Sequence, residues 1–310
     1  MEVCNDTGRF ESMCSTDVWV LDRNLAGDCL ENGMCRYDEM NMKEGVCMSK
    51  KKKQHYIPRF LLKNFADQMP IPIRNGCIFR IDLEKRTLRT PQIKHECVKK
   101  SLYECREILP ENYLEDMLGR FEDQWAIILK KLIAKQTLIK DETIWLYLFL
   151  TFQLLRMPDM IKLYEEYITT IIIKNKIKMP VSLEDMARFL LFAIKYNKDN
   201  TIVIDLCQRL QYYDINLWYT SKTYPFILNS ITPIFTINVG QQPLVWFCPI
   251  ASTCCMVMTK QSQFDEYCGV KEYHDVPKNI VDFVNDVSVR RDSPIVYTND
   301  IVTAKRLLKI

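Results

Sequence analysis

Residues 141–157, DETIWLYLFLTFQLLRM, are apolar around nearly the whole of a helical projection, and this run constrains the fold more than any other. A helix without a polar face has nothing to offer water, so the pattern predicts an element buried at the centre of the fold. Membrane spanning takes about 20 apolar residues, and the run from Ile144 to Leu155 is shorter and interrupted by Thr151 and Gln153. It reads as a core helix. Gln153 and Arg156 stand out because they lie where burial is expected. A buried guanidinium must find an anionic partner or a ligand.

A second helix, residues 112–135, carries the clearest stripe: Leu114, Met117, Leu118, Phe121, Trp125, Ile128, Leu129 and Leu132. Glu115 and Glu122 are seven apart on it, on the same face and about 10.5 Å apart along the axis. That separation is too large for one shared metal without a third residue from elsewhere. Either glutamate could neutralise Arg156. An internal ion pair is the first explanation for the set, and a phosphate or carboxylate site the second.

The third constraint is residues 50–67, KKKKQHYIPRFLLKNFAD. Pro58 disfavours the α conformation at Ile57, so His55, Tyr56 and Ile57 are predicted to be extended. Pro58 itself fits the start of a helix, where its missing N–H costs nothing. His55 therefore sits ahead of a helix N-terminus, whose positive dipole end favours neutral imidazole. Neutral imidazole can act as a general base or a metal ligand, or it can simply tie the lead-in to the domain. Arg59, just beyond the proline, could meet an anion beside His55 or face solvent.

The segment QHYIPRFLLKNFA resembles the signature HYxPxxxLxxF of domain-of-unknown-function family 4238, with His55, Tyr56, Pro58, Leu62 and Phe65 at the matching positions. SLYECREILPENYLEDMLGRFED is similar to the family's tyrosine-then-acidic-helix segment through Tyr103, Glu115 and Glu122. FLTFQLLRMPDM is similar to its Q-x-x-R-x-P element through Gln153, Arg156 and Pro158. The resemblance runs from about Met48 to the end of the chain. It implies a fold and a set of shared positions, but no established reaction. The spread of the family among bacteria, archaea, viruses and some eukaryotes suggests a mobile-element or defence setting. Its C-terminal motif resembles F-I-T-S-D-N-P-V, placed here on IFTINVGQQPLVW. Thr236 matches on that placement, Asn238 stands where aspartate is expected, Pro243 comes late, and Asn285 corresponds to a later asparagine. Asparagine exchanges hydrogen bonds but carries no negative charge, so a site needing that aspartate would be degenerate.

Composition removes several function classes. Only four of the eight glycines lie after residue 47, and neither G-x-G-x-x-G nor G-x-x-x-x-G-K-[ST] occurs, which excludes the glycine-built nucleotide cradles. The thirteen cysteines include no C-x-x-C, and with three histidines no zinc pattern assembles. No G-x-S-x-G elbow supports a serine nucleophile. The cofactor is left open: Mg or Mn is compatible with the residues, whereas nucleotide cofactors and zinc have no motif. A cytoplasmic protein with reduced, structural thiols is expected, with Cys254 and Cys255 in the core. The oligomeric state is not specified.

Residues 1–47 carry ten Asp/Glu against four Lys/Arg, whereas the remainder is basic. They read as a poorly ordered, cysteine-containing acidic extension or a non-native start, ahead of a single domain over residues 48–310. Nine Lys/Arg against four Asp/Glu in residues 74–106, together with Lys50, Lys51, Lys52 and Lys53, form either a solvated face or a phosphate-attracting surface.

In chain order, CIFRIDL, the turn EKR and TLRTPQIKHECV predict an antiparallel hairpin. Helices follow to about residue 210, with Pro158 as a break and a Ser182/Asp185 capping box. INLWYTS, PFILNSI, IFTINV, LVWFCPIA and ASTCCMVMT read as strands. Asp275 is expected to cap a last substantial helix with Ile280, Val281, Phe283, Val284 and Val287 inward, and SPIVYTND to be a short strand. The predicted class is α+β, with a short N-terminal β-hairpin, a helical middle around the buried helix, and a C-terminal antiparallel sheet.

Two functions fit. The first is a nucleic-acid-directed hydrolase cleaving phosphodiesters, with His55, Arg59, Glu115, Glu122 and Arg156 catalytic. In it Tyr56, Gln153, Thr236, Asn238 and Asn285 hold substrate, and the lysines of residues 50–53 draw in nucleic acid. The second is a non-catalytic binding or regulatory module.

Overall fold

The signature segment forms a short strand that ends at His55, three residues ahead of Pro58. The computed structural model describes residues 53–66, 76–176, 178, 180–192, 201–237, 244–261, 269–289 and 294–309. These lie in one unit, Val46–Ile310. The acidic segment 1–47, Lys50, Lys51, Lys52, Asn238 and Pro243 fall outside the described residues.

Strand β1 (Lys53–His55) pairs antiparallel with β4 (Val98–Lys100). Pro58, extended at φ −55° and ψ 143°, then precedes the short helix α1 (Arg59–Asn64), which buries Leu61 and Leu62. The expected hairpin is present: β2 (Phe79–Asp82) pairs with β3 (Thr87–Arg89), with Ile81 opposite Leu88.

The helical middle starts with α2 (Tyr113–Ile133), and all eight residues of its predicted stripe are buried. Helix α3 (Lys140–Leu155) buries every residue from Leu146 to Gln153. Phe121 and Trp125 of α2 meet Phe149 and Phe152 of α3, with ring centroids 5.6–5.8 Å apart. Edge contacts of that kind hold the two helices in one register. Pro158 opens α4 (Pro158–Asn175), as a proline at a first helical position should. Helices α5 (Leu183–Phe192) and α6 (Thr201–Leu210) come next. The Asp185 amide donates to Ser182 Oγ at 3.2 Å, the expected cap.

Strands β5 (Tyr213–Tyr219), β7 (Phe235–Ile237), β8 (Val245–Ala251), β9 (Cys254–Lys260) and β10 (Val270–Asp275) build a five-stranded sheet in the order β10-β5-β9-β8-β7. The sheet is antiparallel except for β10, which runs parallel to β5. Sequence reasoning missed β10 because VKEYHD is too polar to read as a strand, which suits a sheet edge. Strand β11 (Ile295–Thr298) pairs with β2 and with β6 (Leu228–Asn229), so the N-terminal hairpin joins a four-stranded sheet, β3-β2-β11-β6.

Helix α7 (Lys278–Val289) places Val281 and Val284 against Phe226, Phe235, Phe247 and Val257, whereas Phe283 is 49% exposed rather than inward. Asp275 ends β10 instead of capping α7; the Ile280 and Val281 amides donate to the Pro277 carbonyl. Helix α8 (Ile301–Leu308), capped by Asp300, covers Ile81, Ile227 and Val296. Cys254 and Cys255 are fully buried, and the described cysteines are free thiols. No helix of the described residues is long and apolar enough to cross a membrane.

Candidate functional site

The proline after β1 creates a local problem that the buried helix solves. Backbone carbonyls removed from water need donors, and near Pro58 the ladder cannot continue. Gln153 and Arg156, three apart on one face of α3 and its C-cap, supply them. Gln153 Nε2 donates to the Tyr56 carbonyl at 3.1 Å. Arg156 Nη2 donates to the His55 carbonyl, and the Tyr103 hydroxyl donates to the same oxygen at 3.0 Å. Arg156 Nε in turn donates to the Tyr103 hydroxyl at 3.2 Å.

Glu122 completes the set by accepting from Arg156 Nη2 at 2.8 Å. Arg156 is 1% exposed, so its charge has no bulk water to lean on. Burial alone would lower its pKa, but Tyr103 and Glu122 more than offset that and hold it above the usual arginine range. Burial pushes the Tyr103 hydroxyl up to about 12; Arg156 pulls against the shift, and Glu115 and Glu122 add to it. Four predicted residues, His55, Glu115, Glu122 and Arg156, therefore converge around Tyr103. Within this group the guanidinium bonds to the backbone carbonyl of His55, while the imidazole feels Arg156 only through the charge.

The imidazole of His55 is half-buried. Burial, followed by the nearby charges of Arg59 and Arg156, lowers its pKa to about 4, and a hydrogen bond with the Ile93 backbone opposes the shift. The ring is thus neutral at pH 7. Its Nε2, together with Arg156 Nη1 and Gln153 Oε1, is shielded from solvent and has no hydrogen-bond partner among the described residues. Neutral Nε2 is the right species for a general base, but it is walled off from solvent, and a pKa near 4 makes it a weak base at pH 7.

Sequence reasoning missed Gln54 as part of this centre. It is fully buried, donates to Glu104 Oε1 at 2.9 Å and accepts from the Tyr103 amide at 2.7 Å. Its position directly before His55, with Tyr103 in the next matching segment, was the available signal. Tyr56 turns the other way, towards Cys97, Glu96 and Asp159; burial first, then those groups, raises its hydroxyl far above the usual range. Cys97 lies in the same group, its thiol 3.5 Å from the Tyr297 hydroxyl, and burial pushes it up to about 12.

Of the remaining expected positions, Arg59 stays close enough for its charge to act on His55, whereas Thr236 and Asn285 lie elsewhere in the fold. Arg59 is exposed at the start of α1. Thr236 sits on β7 opposite Trp246, in the five-stranded sheet. Asn285 is 1% exposed and its amide clips the chain ahead of β6: Oδ1 accepts from the Ile227 amide at 3.0 Å, and Nδ2 donates to the Pro225 carbonyl at 2.9 Å. Asn229 does similar work, donating to the Ser288 carbonyl at 2.7 Å and accepting from the Ile231 and Thr232 amides at 2.9 Å.

Among the described residues no three His, Cys, Asp or Glu side chains cluster as metal ligands. A family model described as "protein of unknown function (DUF4238)" matches residues 53–300, and the chain belongs to that family. No curated protein and no solved structure matches it.

Proposed function

We propose that the protein is a nucleic-acid-binding module, and that its two signature elements hold a basic β-ribbon in place rather than cleave phosphodiesters. One observation carries this reading: the donors of Gln153, Arg156 and Tyr103 converge on the carbonyls of His55 and Tyr56, at the end of the strand that begins with Lys53. On that ribbon Lys53 lies directly opposite Lys100, and Lys99 opposite Gln54. All three lysines are exposed. Like charges directly opposite one another on a strand pair destabilise it, and a bound phosphate would relieve the repulsion. A ribbon clamped from beneath presents those charges at fixed spacing, which lowers the entropic cost of binding.

The test is a fluorescence anisotropy titration of labelled single- and double-stranded oligonucleotides across a salt series. Lys53→Ala/Lys99→Ala/Lys100→Ala is expected to weaken binding and to flatten the salt dependence by about one log–log unit for each phosphate no longer neutralised. Unchanged affinity and slope would remove the proposal.

Hydrolysis is the second reading, favoured by unpartnered His55 Nε2 and Arg156 Nη1 in one buried centre. It requires that centre to open. A nuclease assay with and without Mg²⁺ or Mn²⁺, in which His55→Ala abolishes cleavage, would establish it over the first.

A further inference from the structure

A separate, half-open pocket of about 470 Å³ lies where five chain segments meet: the ends of α1 and α2, the loop after β5, the β8–β9 turn and the residue after β11. Its size is in the range that takes small ligands. Lys63, Lys130 and Lys222 stand around it, and its wall adds the amides of Asn64 and Asn299 and the hydroxyls of Ser252 and Thr253. No aspartate or glutamate contributes to the lining. All three lysines are exposed, and among the described residues none of them is in an ion pair.

Helix ends give lysines an ordinary occupation, hydrogen bonding the last carbonyls. That occupation is largely taken here. The Lys130 carbonyl accepts from the Ala134 amide, the Lys131 carbonyl from Gln136, and the Leu132 carbonyl from Lys135 and the Tyr219 hydroxyl. At the end of α1 the Asn64 carbonyl accepts from the Ser252 amide at 3.3 Å. Asn64 Nδ2 and Asn299 Nδ2 hold the Ile250 carbonyl and Ser252 Oγ at 3.0 and 3.1 Å, which fixes the floor of the cavity.

We infer that this cavity binds a phosphomonoester. Three lysines around one pocket, together with neutral hydroxyls and amides and no carboxylate in the lining, match a doubly charged group with several acceptor oxygens. The remaining volume accommodates the organic part that carries it. The inference does not depend on the lysine ribbon: none of the residues that form that ribbon lines the cavity.

The experiment is isothermal titration of the full chain with adenosine monophosphate, with adenosine, and with oligonucleotides bearing or lacking a 5′-phosphate. Adenosine monophosphate is expected to bind where adenosine does not, and Lys130→Gln/Lys222→Gln is expected to weaken it by about tenfold or more, at unchanged melting temperature. Binding confined to the 5′-phosphorylated oligonucleotide and abolished in the same variant also supports the phosphomonoester site and assigns its source to a strand end. The oligonucleotide arms are run on the ribbon variant Lys53→Ala/Lys99→Ala/Lys100→Ala, so that binding at the ribbon does not enter. Adenosine bound as tightly as adenosine monophosphate overturns the inference, as does no binding of any phosphorylated probe, or binding of such a probe that Lys130→Gln/Lys222→Gln retains. The ribbon variant Lys53→Ala/Lys99→Ala/Lys100→Ala is expected to leave adenosine monophosphate binding within about twofold, which keeps failure of the cavity distinct from failure of the ribbon.

Discussion

Two buried polar centres fasten main chain in this protein, and they do so by different means. Around Arg156 the fastening is charged: a guanidinium, a partly exposed carboxylate and a phenol secure the end of β1. Around Asn285 and Asn229 it is neutral: two amides secure the chain through β6 to α7. An amide satisfies a donor and an acceptor together and leaves no net charge to be desolvated. A guanidinium offers five donors and can serve several elements, but it becomes a severe liability when a partner is removed. The charged centre is therefore expected to be the more fragile of the two, and the more sensitive to pH.

The largest effect should come from Arg156→Met, which leaves the His55 carbonyl short of a donor and Glu122 without its cation. A loss of about 3–5 kcal/mol in denaturant-derived stability is expected. Asn285→Ala should cost about 2–3 kcal/mol, because the Ile227 amide and Pro225 carbonyl are left unpaired in the core. If Asn285→Ala proves the costlier change, the ordering of the two centres is wrong.

The pH dependence separates them further. With a folded pKa near 4 against an ordinary 6.5, His55 binds its proton more readily in the unfolded chain. Above pH 6.5 the ring is neutral in both states and imposes no penalty on folding. Stability should then fall as the pH drops from about 6.5 to 4, by at most about 2 kcal/mol once the partly exposed ring is discounted. His55→Gln should flatten that slope, whereas Asn285→Ala should leave it unchanged. A slope indifferent to His55 would show that the ring is not held neutral.

The sequence carried much of this arrangement, for reasons that differ between regions. The stripe of α2 and the all-round apolar α3 were legible because burial leaves a direct periodic trace. The oddity of Arg156 and Gln153 was legible for the same reason, since polar groups on a buried helix need partners. The target of those groups was not legible. Donors that satisfy backbone carbonyls leave no mark on the residues they serve, so the pattern around His55 gave no sign that its carbonyl is what Arg156 grips. The polar strand β10 and the exposed Phe283 were hidden because tertiary placement overrode local pattern. The lysine-lined cavity was invisible to local reading because residues from 63 to 299 must meet to form it.

The sharpest test of the claim that the signature residues hold the ribbon is amide hydrogen exchange on the native protein and on Arg156→Met, under conditions where both remain folded. Protection of the Tyr56 amide, bonded to the Cys97 carbonyl at 2.9 Å, should collapse together with the rest of the β1–β4 pair, while β5, β8 and β9 stay protected. Full retention of protection at Tyr56 in the variant would contradict the claim.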